Sequence, residues 1–277
     1  MEAPFELVDE GLAARLDARR PAVVRGYVSA ANPAAARAAI EDVRRALGHL
    51  QAFELRPIGE VQTRVVHEED WAEAWKQHFP VLRVGRRLVV RPTWREHVAQ
   101  PGDVVVSLDP GMAFGTGLHP TTRLCLAGVE QWADVGRLED ARVLDVGCGS
   151  GILAVAAALL GAQSVVGIDT DPLAVKATRS NAALNGLAAR IEARRGSLPM
   201  PSPEQFDLVL ANLVASVLVD LAAELAEDLR PGGRLLASGI FADREAEVLK
   251  AFGAAGLLVV DRLRETDWVA LELERAD

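Results

Sequence analysis

Cysteine is nearly absent from this chain: Cys125 and Cys148 are the two in 277 residues, set in apolar or glycine-rich surroundings without a CxxC spacing. That excludes a disulfide framework and a cysteine-based zinc site, and it suits a reducing compartment. Long apolar runs are missing as well, and no stretch approaches the roughly 20 residues that a bilayer span requires. The opening MEAPFELVDEGLAARLDARR is too charged for a secretory leader, so the expected location is cytoplasmic. There is no excess of positive charge either. The 39 acidic and 30 basic residues give a formal net charge of −9, which offers nucleic acid and anionic membranes no general attraction. Arg83, Arg86, Arg87 and Arg91 are a local exception. Basic partners match the overall balance better. Internal repeats and low-complexity linkers are also lacking.

What is present is an ordinary globular composition, 50% apolar and 25% charged, long enough for one large domain and a small one. ARVLDVG, SVVGID, IEARRGS, FDLVLANL and GGRLLASG read as strands. They alternate with helical stretches, among them SGILAVAAALLG, DPLAVKATRSNAALNG with Asp171 as its cap, and helices near 214–229 and 243–254. Such alternation from about Val104 onward means right-handed crossovers and a parallel sheet covered on both faces. GLLVVDRLRET and DWVALELER, separated by a short polar turn, predict an antiparallel pair at the end. The expected fold is α/β: a doubly wound, mostly parallel seven-stranded Rossmann-like sheet closed by that hairpin.

The first hundred residues have a different texture. PAVVRGYVSA and AFELRPIGEVQTRVV surround the helix NPAAARAAIEDVRRALG, enough for a small α/β domain over 1–66. HEEDWAEAWKQHF, 67–79, places Trp71 and Trp75 on one helical face and reads as a linker helix. Its acidic residues, Glu68, Glu69, Asp70 and Glu73, suit a solvated helix start or a lysine-rich partner. VLRVGRRLVVRP predicts a hairpin turning near Gly85, and the large domain spans 80–277.

Two glycine-rich loops carry the chemistry. In VLDVGCGSG, Gly147, Gly149 and Gly151 fall between a strand and a helix, where glycine permits a tight turn and close approach of a ligand to the helix N-terminus. Asp169 ends the next strand, 22 positions after Gly147, where a carboxylate accepts hydrogen bonds from both hydroxyls of a ribose. A dinucleotide fingerprint needs glycine at 152, and Ile152 stands there. GxGxG preceded by Asp145, together with Asp169 and the terminal hairpin, is instead the pattern of class I methyltransferases that use S-adenosylmethionine. Ser197, after the third strand, is either a group facing the adenine or part of a plain turn. Asn212 ends the fourth strand, where this fold presents its reacting groups, or merely caps the next helix. The earlier loop, GMAFGTGLHPTT at 111–122, is followed by no GK[ST] and is therefore no phosphate loop. Its helix is expected to start at Pro120, leaving the hydroxyls and amides of Thr121 and Thr122 for a small polar ligand. His119 either contacts cofactor or substrate, or caps that helix. Gly111, Gly115 and Gly117 suggest a flexible gate. No Ser/His/Asp or Cys/His arrangement has a supporting context.

LDPGMAFGTGLHPTTRLCL, VLDVGCGSGILAVAA, GIDTDPLAV, FDLVLANL and LRPGGRLL together resemble the PrmA family, methyltransferases of ribosomal protein eleven of the large subunit. EDWAEAW resembles that family's linker, and the likeness runs from about residue 67 to the end. It implies S-adenosyl-L-methionine as methyl donor, with lysine ε-amines and an N-terminal α-amine of that protein as acceptors. The implied cofactor contacts are Thr122, Gly147, Asp169 and Asn212, with Thr116 and Gly149 beside them. Asn212 is also the candidate that positions the amine. An N-terminal ferredoxin-like domain is implied too, and residues 1–66 show part of one. Nucleic-acid amino methyltransferases usually follow this Asn or Asp with Pro-Pro and an aromatic that stacks a flipped base. Here Leu213 and Val214 follow. A methyltransferase of another protein or small amine, and a binding protein that transfers nothing, are the other readings.

Overall fold

The computed structural model describes residues 33–51, 61–63, 79–109, 115–200 and 205–275. The chain divides into two compact units, Met1–Lys76 and Gln77–Asp277. In the first, the predicted helix is observed as α1, Pro33–Gln51, with proline at its start. The strands expected around it and the linker helix with Trp71 and Trp75 lie outside the described residues.

In the second unit, the predicted hairpin is β1 (Leu82–Val84) and β2 (Leu88–Pro92), paired antiparallel and turning at Gly85 with φ +67°. β3, Val104–Leu108, lies outside the large sheet. It pairs parallel with β2 in a separate three-stranded sheet. Its other edge is met by side chains from a distant helix: Asn185 accepts from the Ser107 amide at 2.9 Å and donates to the Ser107 carbonyl at 2.7 Å. An asparagine amide carries one donor end and one acceptor end, so it replaces a neighbouring strand at that residue.

The main sheet has seven strands: β4 (Arg142–Val146), β5 (Ser164–Asp169), β6 (Ile191–Arg195), β7 (Phe206–Asn212), β8 (Leu229–Phe241), β9 (Leu257–Glu265) and β10 (Trp268–Arg275). Their spatial order is β6-β5-β4-β7-β8-β10-β9, and β10 alone runs opposite to the other six. This is the expected doubly wound sheet with its terminal hairpin. Helices α2 (Pro120–Asp134), α3 (Ile152–Leu159) and α4 (Pro172–Leu184) contribute to one apolar layer; α5 (Ala215–Asp220), α6 (Ala222–Glu227) and α7 (Glu245–Ala254) build the other. The Asp171 carboxylate caps α4 by accepting from the Leu173 amide at 2.8 Å, with Pro172 next, as the sequence predicts. The single helix expected near 214–229 is instead α5 and α6, interrupted at Leu221. The interruption is slight, since Leu221 still donates to Val217 and accepts from Leu225.

Two contacts fix α2, whose first turn belongs to the site. Gly128 lets the helix lie close on β8, where an added Cβ would come within 2.7 Å of Leu236 Cδ2. Glu130 is 4% exposed, and its carboxylate accepts from the amides of Arg86 (2.7 Å), Arg87 (2.6 Å) and Leu88 (3.0 Å) in the β1–β2 turn. The arginine cluster noted in the sequence is paired within the fold: Arg83 with Asp103, Arg86 and Arg87 with Asp134, Arg91 with Ser107.

Candidate active site

Gly147, Gly149 and Gly151 all adopt left-handed backbone, with φ of +72°, +54° and +78°. At Gly151 the need is doubled, since an added Cβ would lie 2.9 Å from the Thr178 Cα on α4. The loop is tied to the end of β5 by its own amides. Gly147 and Cys148 donate to the Ile168 carbonyl at 2.8 and 3.1 Å, and Gly149 donates to Asp169 Oδ2 at 3.0 Å. Asp171 donates to the other oxygen, Oδ1, at 2.9 Å. Asp169 is half-buried at the carboxyl end of β5, and each of its oxygens keeps a second lone pair. A carboxylate so anchored suits a vicinal diol such as a ribose. Ser197 lies exposed just beyond β6.

Asp145 is buried beneath the loop, and its Oδ2 accepts from the Ala154 amide at 3.2 Å. Burial raises its carboxyl to about 7, an effect that the Ala154 bond opposes and the charge of Asp169 adds to. The folded state therefore holds this proton over a range where an unfolded aspartate has lost it. Stability should fall as pH rises from about 4 to about 7, with the full penalty above that. Asp145→Asn retains an acceptor for Ala154 and cannot ionise. Its melting temperature should exceed the parent's at pH 8, with the gap closing toward pH 5; a gap independent of pH would contradict this assignment.

The first glycine loop is latched onto the second. Ser150, fully buried, donates its hydroxyl to the Gly115 carbonyl at 2.5 Å, and a Cβ added at Gly117 would come within 3.3 Å of Ile152 Cδ1. Gly115 and Gly117 have φ of +98° and +86°. Gly111 and the rest of 110–114 lie outside the described residues. Thr116 is half-buried and its hydroxyl accepts from Leu118 at 3.5 Å.

Asn181, on α4 and 1% exposed, joins the start of this segment to the cofactor loop. It accepts from the Asp109 amide at 2.9 Å and donates to the carbonyls of Asp109 (3.0 Å) and Ser150 (2.8 Å). Thr178, one turn earlier, donates toward the Gly149 carbonyl at 3.0 Å. Sequence reasoning missed this asparagine, although Asn181 and Asn185, spaced i, i+4 around the apolar residues 182–184, were a readable signal. Asn181→Ala should lower stability by on the order of 2–3 kcal/mol, because it leaves several buried backbone groups unpartnered. Denaturant titration checks this, and a loss within a few tenths of a kcal/mol would refute the clamp.

α2 begins at Pro120 as expected, but its first-turn amides are not left for a ligand. His119 caps the helix, its Nδ1 accepting from the Thr121 amide at 3.3 Å, and the Thr122 amide donates to the His119 carbonyl at 3.1 Å. The Thr121 hydroxyl lies 2.8 Å from the same imidazole nitrogen. Of the two readings for His119, the cap is therefore observed. Thr122 is fully buried, and its Oγ1 accepts from Asn212 Nδ2 at 3.3 Å. That bond joins the first loop's helix to the end of β7 and spans 90 positions of sequence. It uses the donor end of the Asn212 amide, so the carbonyl oxygen remains as the acceptor.

The fold is mirrored in known proteins. The family model for ribosomal protein L11 methyltransferase (PrmA) matches residues 16–276. The chain belongs to the PrmA family. A ribosomal protein L11 methyltransferase of Chloroflexus aurantiacus is 46% identical over 287 residues, covering 95% of this chain and 85% of that one. The Geobacter sulfurreducens protein of the same description is 47% identical over 252 residues, covering 90% and 81%. Among solved structures, a ribosomal protein L11 methylase from Lactobacillus delbrueckii subsp. bulgaricus is similar with a TM-score of 0.66 and 33% identity. It covers 71% of this chain and 99% of its own. Membership of PrmA makes the seven-stranded unit a methyltransferase domain, and it agrees with the glycine loop, Asp169 and the FGTGLHPTT segment that suggested it.

Proposed function

We propose that this PrmA protein transfers methyl groups from S-adenosyl-L-methionine to amines of ribosomal protein L11, its lysine ε-amines and N-terminal α-amine. The observation that carries this reading is the Asn212–Thr122 bond beside a glycine loop whose strand partner ends in Asp169. Asp169 receives the ribose hydroxyls, Gly147 and Gly149 allow close approach of the nucleoside, and Thr122 and Thr116 face the amino-acid end. When bound, the cofactor supplies an electrophilic methyl on a sulfonium.

Methyl transfer of this kind is an in-line displacement, which needs alignment and a free lone pair more than a strong base. A lysine with an ordinary pKa near 10.4 is neutral in only about one molecule in a few thousand at pH 7. A partly desolvated site favours the neutral amine, and the Asn212 carbonyl oxygen accepts one of its N–H bonds and directs the lone pair. The cofactor, held by Asp169, Gly147 and Thr122, would supply the electrophilic methyl toward which the Asn212 oxygen directs the lone pair. The bond from Asn212 Nδ2 to Thr122 holds the amide in the orientation that presents this oxygen.

Residues 1–66 act as the substrate-recognition domain on a 67–79 linker, with 80–277 as the catalytic domain. The overall negative charge suits a lysine-rich protein. No helix among the described residues is long and apolar enough to cross a membrane. A cytoplasmic location is part of the proposal, since the protein substrate is ribosomal. Incubating the chain with labelled cofactor and either L11 or ribosomal RNA tests the substrate; label in RNA alone would overturn it.

A further inference from the structure

β6 ends the strand order of the main sheet, and α4 packs beside it. In a parallel ladder alternate residues bond to one neighbour. The Val165 amide donates to the Arg190 carbonyl at 2.8 Å and the Gly196 amide to the Asp169 carbonyl at 2.9 Å. Even-numbered positions along β6 therefore face β5, and odd-numbered ones face the edge. Part of that edge is closed from within the chain. Ile191 donates to the Leu187 carbonyl at 3.0 Å, and the Ala193 carbonyl accepts from Arg179 Nε at 3.1 Å and Nη2 at 2.6 Å. An added strand would find these two bonding positions taken.

Arg179 is one of four cations on this flank that no carboxylate bonds. Lys176 stands three residues before it on the exposed side of α4. Arg195, exposed, donates from Nε to the Thr170 carbonyl at 3.2 Å, and Arg190, at the foot of β6, donates to the Ala162 carbonyl. None of the four is in an ion pair among the described residues. Glu192 is held by Arg194 at 2.8 Å, and Asp169 and Asp171, which flank Thr170, accept from amides. By contrast Arg83, Arg86, Arg87, Arg230, Arg244 and Arg264 each face a carboxylate. Residues 172–203 hold five basic side chains and one acid, in a chain of net charge −9. A guanidinium has five N–H donors, so a carbonyl bond fixes its plane and leaves donors for a phosphate.

We propose that Lys176, Arg179, Arg190 and Arg195 bind the phosphate backbone of double-stranded RNA without reading its sequence. Single strands are held by stacking on aromatic rings, and 172–203 contain no Phe, Tyr or Trp. A duplex needs only fixed positive charge along its backbone, and β6 supplies a row about 17 Å long. The field is local, because the acidic remainder of the surface is screened beyond about 10 Å. RNA is chosen over DNA on the ribosomal substrate proposed above. β6 is at the opposite edge from β9, so a duplex held there leaves the Asn212–Thr122 pair on central β7 open.

Anisotropy of a labelled RNA duplex of about 16 base pairs, titrated with the full chain at about 50 and 200 mM salt, tests this. Binding should be micromolar at the lower salt and about a hundredfold weaker at the higher, as four phosphate contacts require. Lys176→Glu combined with Arg195→Glu should weaken it at least about tenfold and reduce the salt slope by about two. Lys176→Gln and Arg195→Gln, each alone, should each reduce the slope by about one, and they decide the matter if the double reversal unfolds. No binding at the lower salt, or parental binding in variants with a native melting temperature, overturns the proposal. Tighter binding of a DNA duplex, or displacement of the RNA by polyglutamate of equal charge, overturns the choice of partner. Transfer to L11 should be unchanged in every variant. If L11 receives no methyl while the variants still lose RNA, the substrate reading fails and the binding flank stands.

Discussion

Asn212→Ala should reduce turnover about hundredfold, while the dissociation constant for S-adenosylmethionine changes by less than about tenfold. Two roles are removed at once: the acceptor that directs the amine lone pair, and the donor that holds the Thr122 hydroxyl at 3.3 Å. Displacement at carbon depends steeply on alignment, so the loss falls on the transfer step. Asn212→Asp separates the roles, since it keeps an acceptor but brings negative charge. That charge stabilises the ammonium form of the acceptor, so the pH–rate profile should move to higher pH. Thr122→Ala is expected to act chiefly on cofactor affinity, by up to about tenfold, the usual reach of one neutral hydrogen bond. Wild-type turnover in both alanine variants would remove these residues from the site.

Asp169→Asn should weaken cofactor binding by about 10–100-fold, the range for losing a hydrogen bond to a charged group. The carboxylate accepts on both oxygens from the chain's own amides, Gly149 on one and Asp171 on the other. An asparagine keeps one of those acceptors and sets an NH2 donor where the other stood. The turn loosens, and a ribose diol loses a charged partner. This interaction is made equally before and during transfer, so KM for the cofactor should rise while kcat at saturation changes little. Titration calorimetry against the parent measures it, and an unaltered dissociation constant would place the ribose elsewhere.

The cofactor half of the site was legible because its signals are local. A strand, three left-handed glycines and a buried helix must follow one another directly, and the carboxylate must end the next strand. β4, α3 and Asp169 stand where this pattern put them. The terminal hairpin was equally readable from two alternating runs and a short turn, and it became β9 and β10. Side chains that act on distant backbone left no such trace. Asn181 and Asn185 clamp residues 72 and 78 positions away, and nothing near Ser107 or Asp109 in sequence announces them. For the same reason nothing in the sequence announces that β3 pairs with β2. The free amides expected in the HPTT turn failed differently. A histidine before proline suits either a ligand contact or a helix cap, and its nearest use is the helix end itself.

The most direct measurement is transfer of a labelled methyl group from S-adenosylmethionine to purified ribosomal protein L11 by the full chain, followed by mass spectrometry of the product. Lysine ε-amines or the N-terminal amine of L11 should be methylated, with transfer reduced about hundredfold in Asn212→Ala. Cofactor that binds with ordinary affinity while L11 stays unmodified would contradict it.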